Sequence, residues 1–165
     1  MTEQITTQSL ERLKLGLLAE MRHRVAQESD RMAISASQLA DRLAEIPRDK
    51  LDLTAVRNVE NVAYSTDKVS DLTDLLKKLI GRDGRGERWA RAGAGQSLLS
   101  TLEELRHQAN QIADLLRKYG PAYDDDLPRR IHLLLCREYV RHLVANFEYL
   151  RSEKEISYFR GEVTG

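Results

Sequence analysis

The stretch from Pro128 to Arg151, PRRIHLLLCREYVRHLVANFEYLR, constrains this chain most, because it is dense in apolar side chains and still carries five arginines. Leu133, Cys136, Val140, Leu143, Phe147 and Leu150 recur at steps of 3, 4, 3, 4 and 3, which places them on one face of a helix. At about 100° per residue, Ile131, Leu135, Ala145 and Tyr149 fall on roughly the opposite side. A helix apolar on two sides is a buried one, so the stretch predicts the central helix of a small bundle. The polar strip left between the two faces holds Arg130, Arg137 and Arg141 and ends at Glu148. That strip either is solvated and paired with acids of the same chain, or docks an anionic partner, for which the planar, always-charged guanidinium is suited.

Around this helix the pattern predicts an all-α fold, an antiparallel four-helix bundle in a single domain spanning residues 1–165, with 1–7 and 152–165 peripheral. A long first helix is predicted from Gln8 to Ile46, capped by Thr7 or Ser9 and ended by Pro47. Leu10, Leu13, Leu17, Met21 and Val25 begin its stripe, and Met32, Ala36, Leu39, Leu43 and Ile46 complete it. Glu28, Ser29 and Asp30 interrupt the stripe and predict a register shift or a break there. A second helix is predicted from Leu53 to Ile80, stopped by Gly81. Its inner face is Val59, Val62, Thr66, Val69, Thr73, Leu76 and Ile80, and Glu60, Asp67, Asp71 and Asp74 line the far side. The third helix, Ser97 to Tyr119, has the cleanest pattern: Leu98, Leu102, Leu105, Ala109, Ile112, Leu116 and Tyr119. Asp124, Asp125 and Asp126 precede the central helix and complement its positive N-terminal end. In the tail after Ser152, Ile156, Tyr158 and Phe159 either pack locally or form a short docking peptide.

Composition narrows the class of partner. Lys and Arg number 26, as do Asp and Glu, so there is no global basic field of the kind a dedicated DNA binder shows. The single Cys136 excludes a disulfide framework and fits a reducing, cytoplasmic setting; on an apolar helix face it behaves as a small hydrophobe. Lys14 interrupts the leucine-rich stretch near the start, so no signal peptide is expected, and the longest wholly apolar run falls far short of the ~20 residues that span a bilayer.

Metal chemistry is suggested by count and removed by geometry. Glu20 and His23, Glu104 and His107, with Glu60 and Glu138 or Glu148, have the composition of a di-iron bundle. Met21 and Leu105 centre their core stripes, however, which leaves the glutamates about 100° and the histidines about 160° from the core direction. His142 falls on the outer side of the central helix, near Ile131 and Ala145. No nucleophile–base or phosphate-loop spacing is present. The expectation is no catalytic residue, no metal, no cofactor and no enzyme.

Gly81 to Gly95, GRDGRGERWARAGAG, is the irregular segment: a Gly/Arg-rich, flexible loop between helices two and three. Arg82, Arg85, Arg88 and Arg91 recur every third residue around Trp89. Arginines with an aromatic and flexible glycine make up segments that order on RNA or single-stranded DNA by backbone contact and base stacking. The alternative is a solvated linker with one buried tryptophan. The acidic far side of helix two (Glu60, Asp67, Asp71, Asp74) is a solvated face or a self-association face that meets arginines of a second copy.

The Leu127-Pro128-Arg129-Arg130-Ile131 start of the central helix and the Arg130/Arg137/Arg141 strip resemble the small α-helical subunits of type III CRISPR effector complexes. The resemblance covers the central helix and the general size, and the neutral net charge departs from it. It implies a bundle lining a ribonucleoprotein and contacting nucleic acid through basic strips. The functional expectation is therefore a non-enzymatic assembly or accessory subunit of a larger, nucleic-acid-containing complex, with Arg82, Arg85, Arg88, Trp89, Arg91, Arg130, Arg137 and Arg141 as the contact residues. The alternative is a protein-only adaptor that oligomerises or binds a partner through its long first helix. A membrane partner is not expected.

Overall fold

A computed structural model describes residues 6–159, with side chains through residue 153. Residues 1–5 and 160–165, and the side chains of Ile156, Tyr158 and Phe159, lie outside the described residues. Five α-helices and no strand are present among the described residues: α1 Thr7–Ala44, α2 Leu53–Ser65, α3 Val69–Gly81, α4 Ala94–Leu116 and α5 Leu127–Phe159. Short 3-10 turns occupy Arg91–Gly93 and Arg117–Ala122.

The central helix is where the apolar pattern placed it. α5 packs on all four other helices. Ile131, Leu135, Cys136, Tyr139, Val140, Leu143 and Phe147 are at most 1% exposed, and each large apolar chain so buried contributes about 1.5–3 kcal/mol. The two-sided burial covers only the first half of the helix, because Ala145 is exposed and Tyr149 is 65% exposed. The helix also continues through Phe159, so the first part of the expected tail is helical.

α1 is one unbroken helix of 38 residues, about 57 Å long at 1.5 Å per residue. No break or register shift occurs at residues 28–30. Ser29 takes the next core position after Leu17, Met21 and Val25, and it is 5% exposed. Its hydroxyl donates to the Glu138 carboxylate at 2.8 Å and lies 2.8 Å from Nε2 of His142. A buried polar group is tolerated when it is hydrogen-bonded, so the stripe runs through a serine that an apolar count passes over. The same contact corrects His142, which turns toward α1 and is half-buried. Burial raises the Glu138 carboxyl, but the bonds from Arg141 and Ser29 outweigh it and hold the group below its ordinary value. Ser29 against Glu138 and Ile46 against Arg151, whose guanidinium donates to the Ile46 carbonyl at 2.6 Å, show that α1 and α5 run parallel.

The predicted second helix is two helices. At Thr66 the backbone turns extended (φ −97°, ψ 155°). The Thr66 hydroxyl accepts the Lys68 N–H at 3.0 Å and donates to the Asp71 carboxylate at 2.6 Å. The carbonyls freed at the end of α2 are taken by Arg137, whose Nε donates to the Ala63 oxygen at 2.8 Å and whose Nη2 donates to the Thr66 oxygen at 2.9 Å. α3 then folds back beside α2. Arg57 pairs with Glu148, so α2 is antiparallel to α5. Ile80 lies against Gly95, so α3 is antiparallel to α4. The chain therefore runs up, down, up, down, up: a five-helix bundle in place of four.

α4 matches its predicted stripe from Leu98 through Leu102, Leu105, Ala109, Ile112 and Leu116, all buried, but it ends at Leu116, and Tyr119 lies half-buried in the 3-10 turn that follows. α4 starts three residues before Ser97, behind Gly93 in the left-handed region (φ 70°). Arg42 of α1 donates to the Ser97 hydroxyl at 3.0 Å. At the other end, Glu20 of α1 collects Lys118 at 2.7 Å, Arg24 at 3.0 Å and the Tyr119 hydroxyl at 3.0 Å. The Lys118 and Arg24 bonds, against a smaller effect of burial, lower its carboxyl to about 2.

Replacing Arg137 with Met is expected to destabilise the protein by about 3 kcal/mol, because two charge-assisted bonds are lost and two helix-end carbonyls are left unmet; urea unfolding measures it. Because the folded pKa of Glu20 lies below the ordinary carboxylate value, its contribution is complete above about pH 4.5 and is lost as pH falls toward about 2. Glu20→Gln should lower the melting temperature near neutrality and flatten its fall across that acid window.

Candidate anion-binding cleft

The segment between α3 and α4 is built on one carboxylate. Asp83 accepts the backbone N–H groups of Arg88 and Ala90, each at 2.9 Å, and of Glu87 at 3.2 Å. Burial alone would raise the Asp83 carboxyl; the three N–H bonds outweigh it and hold it below its ordinary value. The loop is thereby shaped by hydrogen bonds, where glycine content had predicted a flexible segment. Trp89 is 4% exposed and belongs to the core cluster. It anchors the loop, and so little of its ring is exposed that a base has no room to stack on it. Behind it, the Gly95 N–H donates to the Trp89 carbonyl at 2.6 Å. A Cβ on Gly95 would lie 2.5 Å from that oxygen, so only glycine allows this approach.

With tryptophan turned in, the arginines turn out. Arg82, Arg85 and Arg88 border a cleft of about 530 Å³ whose floor includes Leu51, Leu79 and Trp89. Lys50, from the α1–α2 connection, completes the border. Lys50 is paired with Glu87 at 3.2 Å, and Asp83 is occupied by the loop's own N–H groups. The guanidinium groups of Arg82, Arg85 and Arg88 are exposed and make no side-chain hydrogen bond or ion pair among the described residues. Arg91 is exposed but does not line the cleft. Three unpaired, planar cations on a fixed loop are suited to anionic oxygens, which they can hold by paired N–H donors.

The strip on the central helix does not act as a unit. Arg137 is spent on the end of α2. Arg141 donates to Glu138 at 2.6 Å, and Glu148 pairs with Arg57 at 2.6 Å. Arg130 alone is exposed with no such partner among the described residues, and it lines a separate cleft with Lys68 and Arg106. The acidic face is divided as well. Glu60 is half-buried on α2, Asp67 sits in the turn, and exposed Asp71 and Asp74 ride on α3, which runs the other way.

Lys50 is the cleft residue that the sequence reading missed. It lies 32 positions before Arg82 in the chain, and no local spacing ties the two together. Cys136 is buried, and burial pushes its thiol up to about 12, which keeps it protonated at neutral pH. Among the described residues, no group of three or more His, Cys, Asp or Glu side chains is placed to hold a metal ion. No helix there is long and apolar enough to cross a membrane. Comparison with protein-family models, curated proteins and solved structures finds no match.

Gly95→Ala tests the loop. An exposed helical Gly→Ala change typically gains up to about 1 kcal/mol. Here the sign should reverse to a loss of about 1–3 kcal/mol, because the new methyl meets a backbone oxygen. Chemical denaturation reads this, and Trp89 fluorescence should shift toward that of an exposed indole.

Proposed function

We propose that this protein is a non-enzymatic helical accessory subunit that holds the sugar–phosphate backbone of a single-stranded nucleic acid at the Arg82/Arg85/Arg88 cleft. The observation that carries this reading is the set of three guanidinium groups left unpaired on a loop that the protein orders at its own cost. Other surface arginines of the chain, Arg129, Arg141 and Arg57 among them, are tied to a carboxylate, whereas these three sit together on one cleft border with their donors free. Because Trp89 is buried, contact is to phosphate and not to bases, so binding is insensitive to sequence. The resemblance to type III CRISPR small subunits implies the same kind of contact. Arg91 extends the basic edge beyond the cleft, whereas Arg130 lines a different cleft and takes no part in this contact.

A second reading, a protein-only adaptor acting through the long first helix, is favoured by Leu15 and Ile34, which are 67% and 70% exposed on α1.

Fluorescence anisotropy with a labelled single-stranded oligonucleotide separates the two. Three phosphate contacts predict a log–log salt slope of about −2 for a single strand. The triple variant Arg82→Ala, Arg85→Ala, Arg88→Ala should weaken binding by about tenfold or more and flatten the slope. Unchanged binding in that variant, or none by the intact protein at low salt, rejects the nucleic-acid reading and leaves the adaptor.

A further inference from the structure

A second cleft, of about 720 Å³, opens between the start of α3, the middle of α4 and the start of α5. That volume is in the range of about 300–1,000 Å³ typical of small-molecule sites. Three elements each bring one unpaired cation to its wall: Lys68 from the α2–α3 turn, Arg106 from α4 and Arg130 from α5. None of the three side chains makes a hydrogen bond or ion pair among the described residues. Arg129 and Asp126 also line the cleft, but they are tied to each other. We propose that this cleft binds a phosphate monoester carried on a ribose, with Lys68, Arg106 and Arg130 around the phosphate.

The remaining lining fits such a ligand. α3 has no side-chain cap at its N-terminus, where Val69 and Ser70 line the cleft; the Lys68 and Asp71 N–H groups are bonded locally, so the helix start adds only its first two N–H groups to the three cations on the anion's side. Asp67 and Glu103 also line the cleft, and neither is held in an ion pair among the described residues. Carboxylates accept hydrogen bonds from sugar hydroxyls, whereas a bare inorganic anion would be repelled by them. His132 adds a third acceptor. Its Nε2–H donates to the Leu102 carbonyl at 2.8 Å, which leaves only Nδ1 to accept. Burial first, and then the charge of Arg106, hold the imidazole below its ordinary pKa, so the neutral ring persists at pH 7. Cations for the phosphate and acceptors for hydroxyls therefore meet in one cleft. The Arg82/Arg85/Arg88 cleft lies at the opposite end of α3, 13 residues away, or about 20 Å along its axis.

The phosphate monoester has two sources: a free nucleotide, or the phosphorylated end of a strand. Isothermal titration of the intact protein with adenosine monophosphate, adenosine and inorganic phosphate addresses the first. Anisotropy with an oligoribonucleotide bearing or lacking a 5′-phosphate addresses the second. At least a tenfold preference for the phosphorylated probe is expected in one of these arms. Arg106→Gln with Arg130→Gln should abolish that preference, while the salt slope of the unphosphorylated strand stays that of the intact protein. Both side chains are exposed and unpaired, and circular dichroism confirms that the double variant keeps its helices. The Arg82/Arg85/Arg88 variant should keep the preference even if strand binding is lost, so failure of the first cleft does not decide the second. Preference in the nucleotide arm assigns the free ligand, and preference in the strand arm alone assigns the strand end. Equal affinity for phosphorylated and unphosphorylated probes in both arms overturns the proposal. So does a preference that survives the double variant.

Discussion

The first half of α5 is apolar on two sides, and helices α1 and α4 cannot cover both. The turn at Thr66 supplies the missing cover. By folding the α2–α3 segment back on itself, the chain makes a short hairpin that lies against α5 and α4. A turn that ends a helix beside a core leaves carbonyls without partners, and Arg137 meets them from the covered side of α5. One arginine therefore links the burial of the central helix to the position of the hairpin. The two clefts depend on it in turn, since each takes one wall from an end of α3.

Long, regular stripes were the part of the fold most legible in sequence. α4 and the first half of α5 were readable because buried leucines repeat at helical spacing without interruption. The break in the second helix was not, because Thr66-Asp67-Lys68 contains neither glycine nor proline. Its cause is a threonine hydroxyl bridging the Lys68 N–H and the Asp71 carboxylate, with an arginine 71 residues later accepting the task of capping. Ser29 erred in the other direction. Polar by type, it was read as an interruption, yet Glu138 and His142, more than a hundred residues away, make it a core residue.

The candidate site divides along the same line. Arginines spaced by three around a glycine-rich segment marked the loop, and three of the four do border one cleft. What local spacing could not show was which side chains face out. Asp83 decides that by gathering three backbone N–H groups, which sets the path of the loop and turns Trp89 inward. The arginine strip of α5 failed for a related reason. A helical wheel gives direction but not partners, and two of its three arginines meet an acceptor within the chain.

The parallel pairing of α1 with α5 has a consequence for how the chain reaches this state. The Ser29–Glu138 contact spans 109 residues, so α1 is completed only once α5 is present. Loop closure of that length comes late, and contacts of such separation slow folding. While a ribosome is still extending the chain, α1 presents Leu17, Met21, Val25 and Met32 with no α5 to receive them. α2, α3 and α4 can form and pair beforehand, whereas the α1–α5 seam has to wait until α5 has been made.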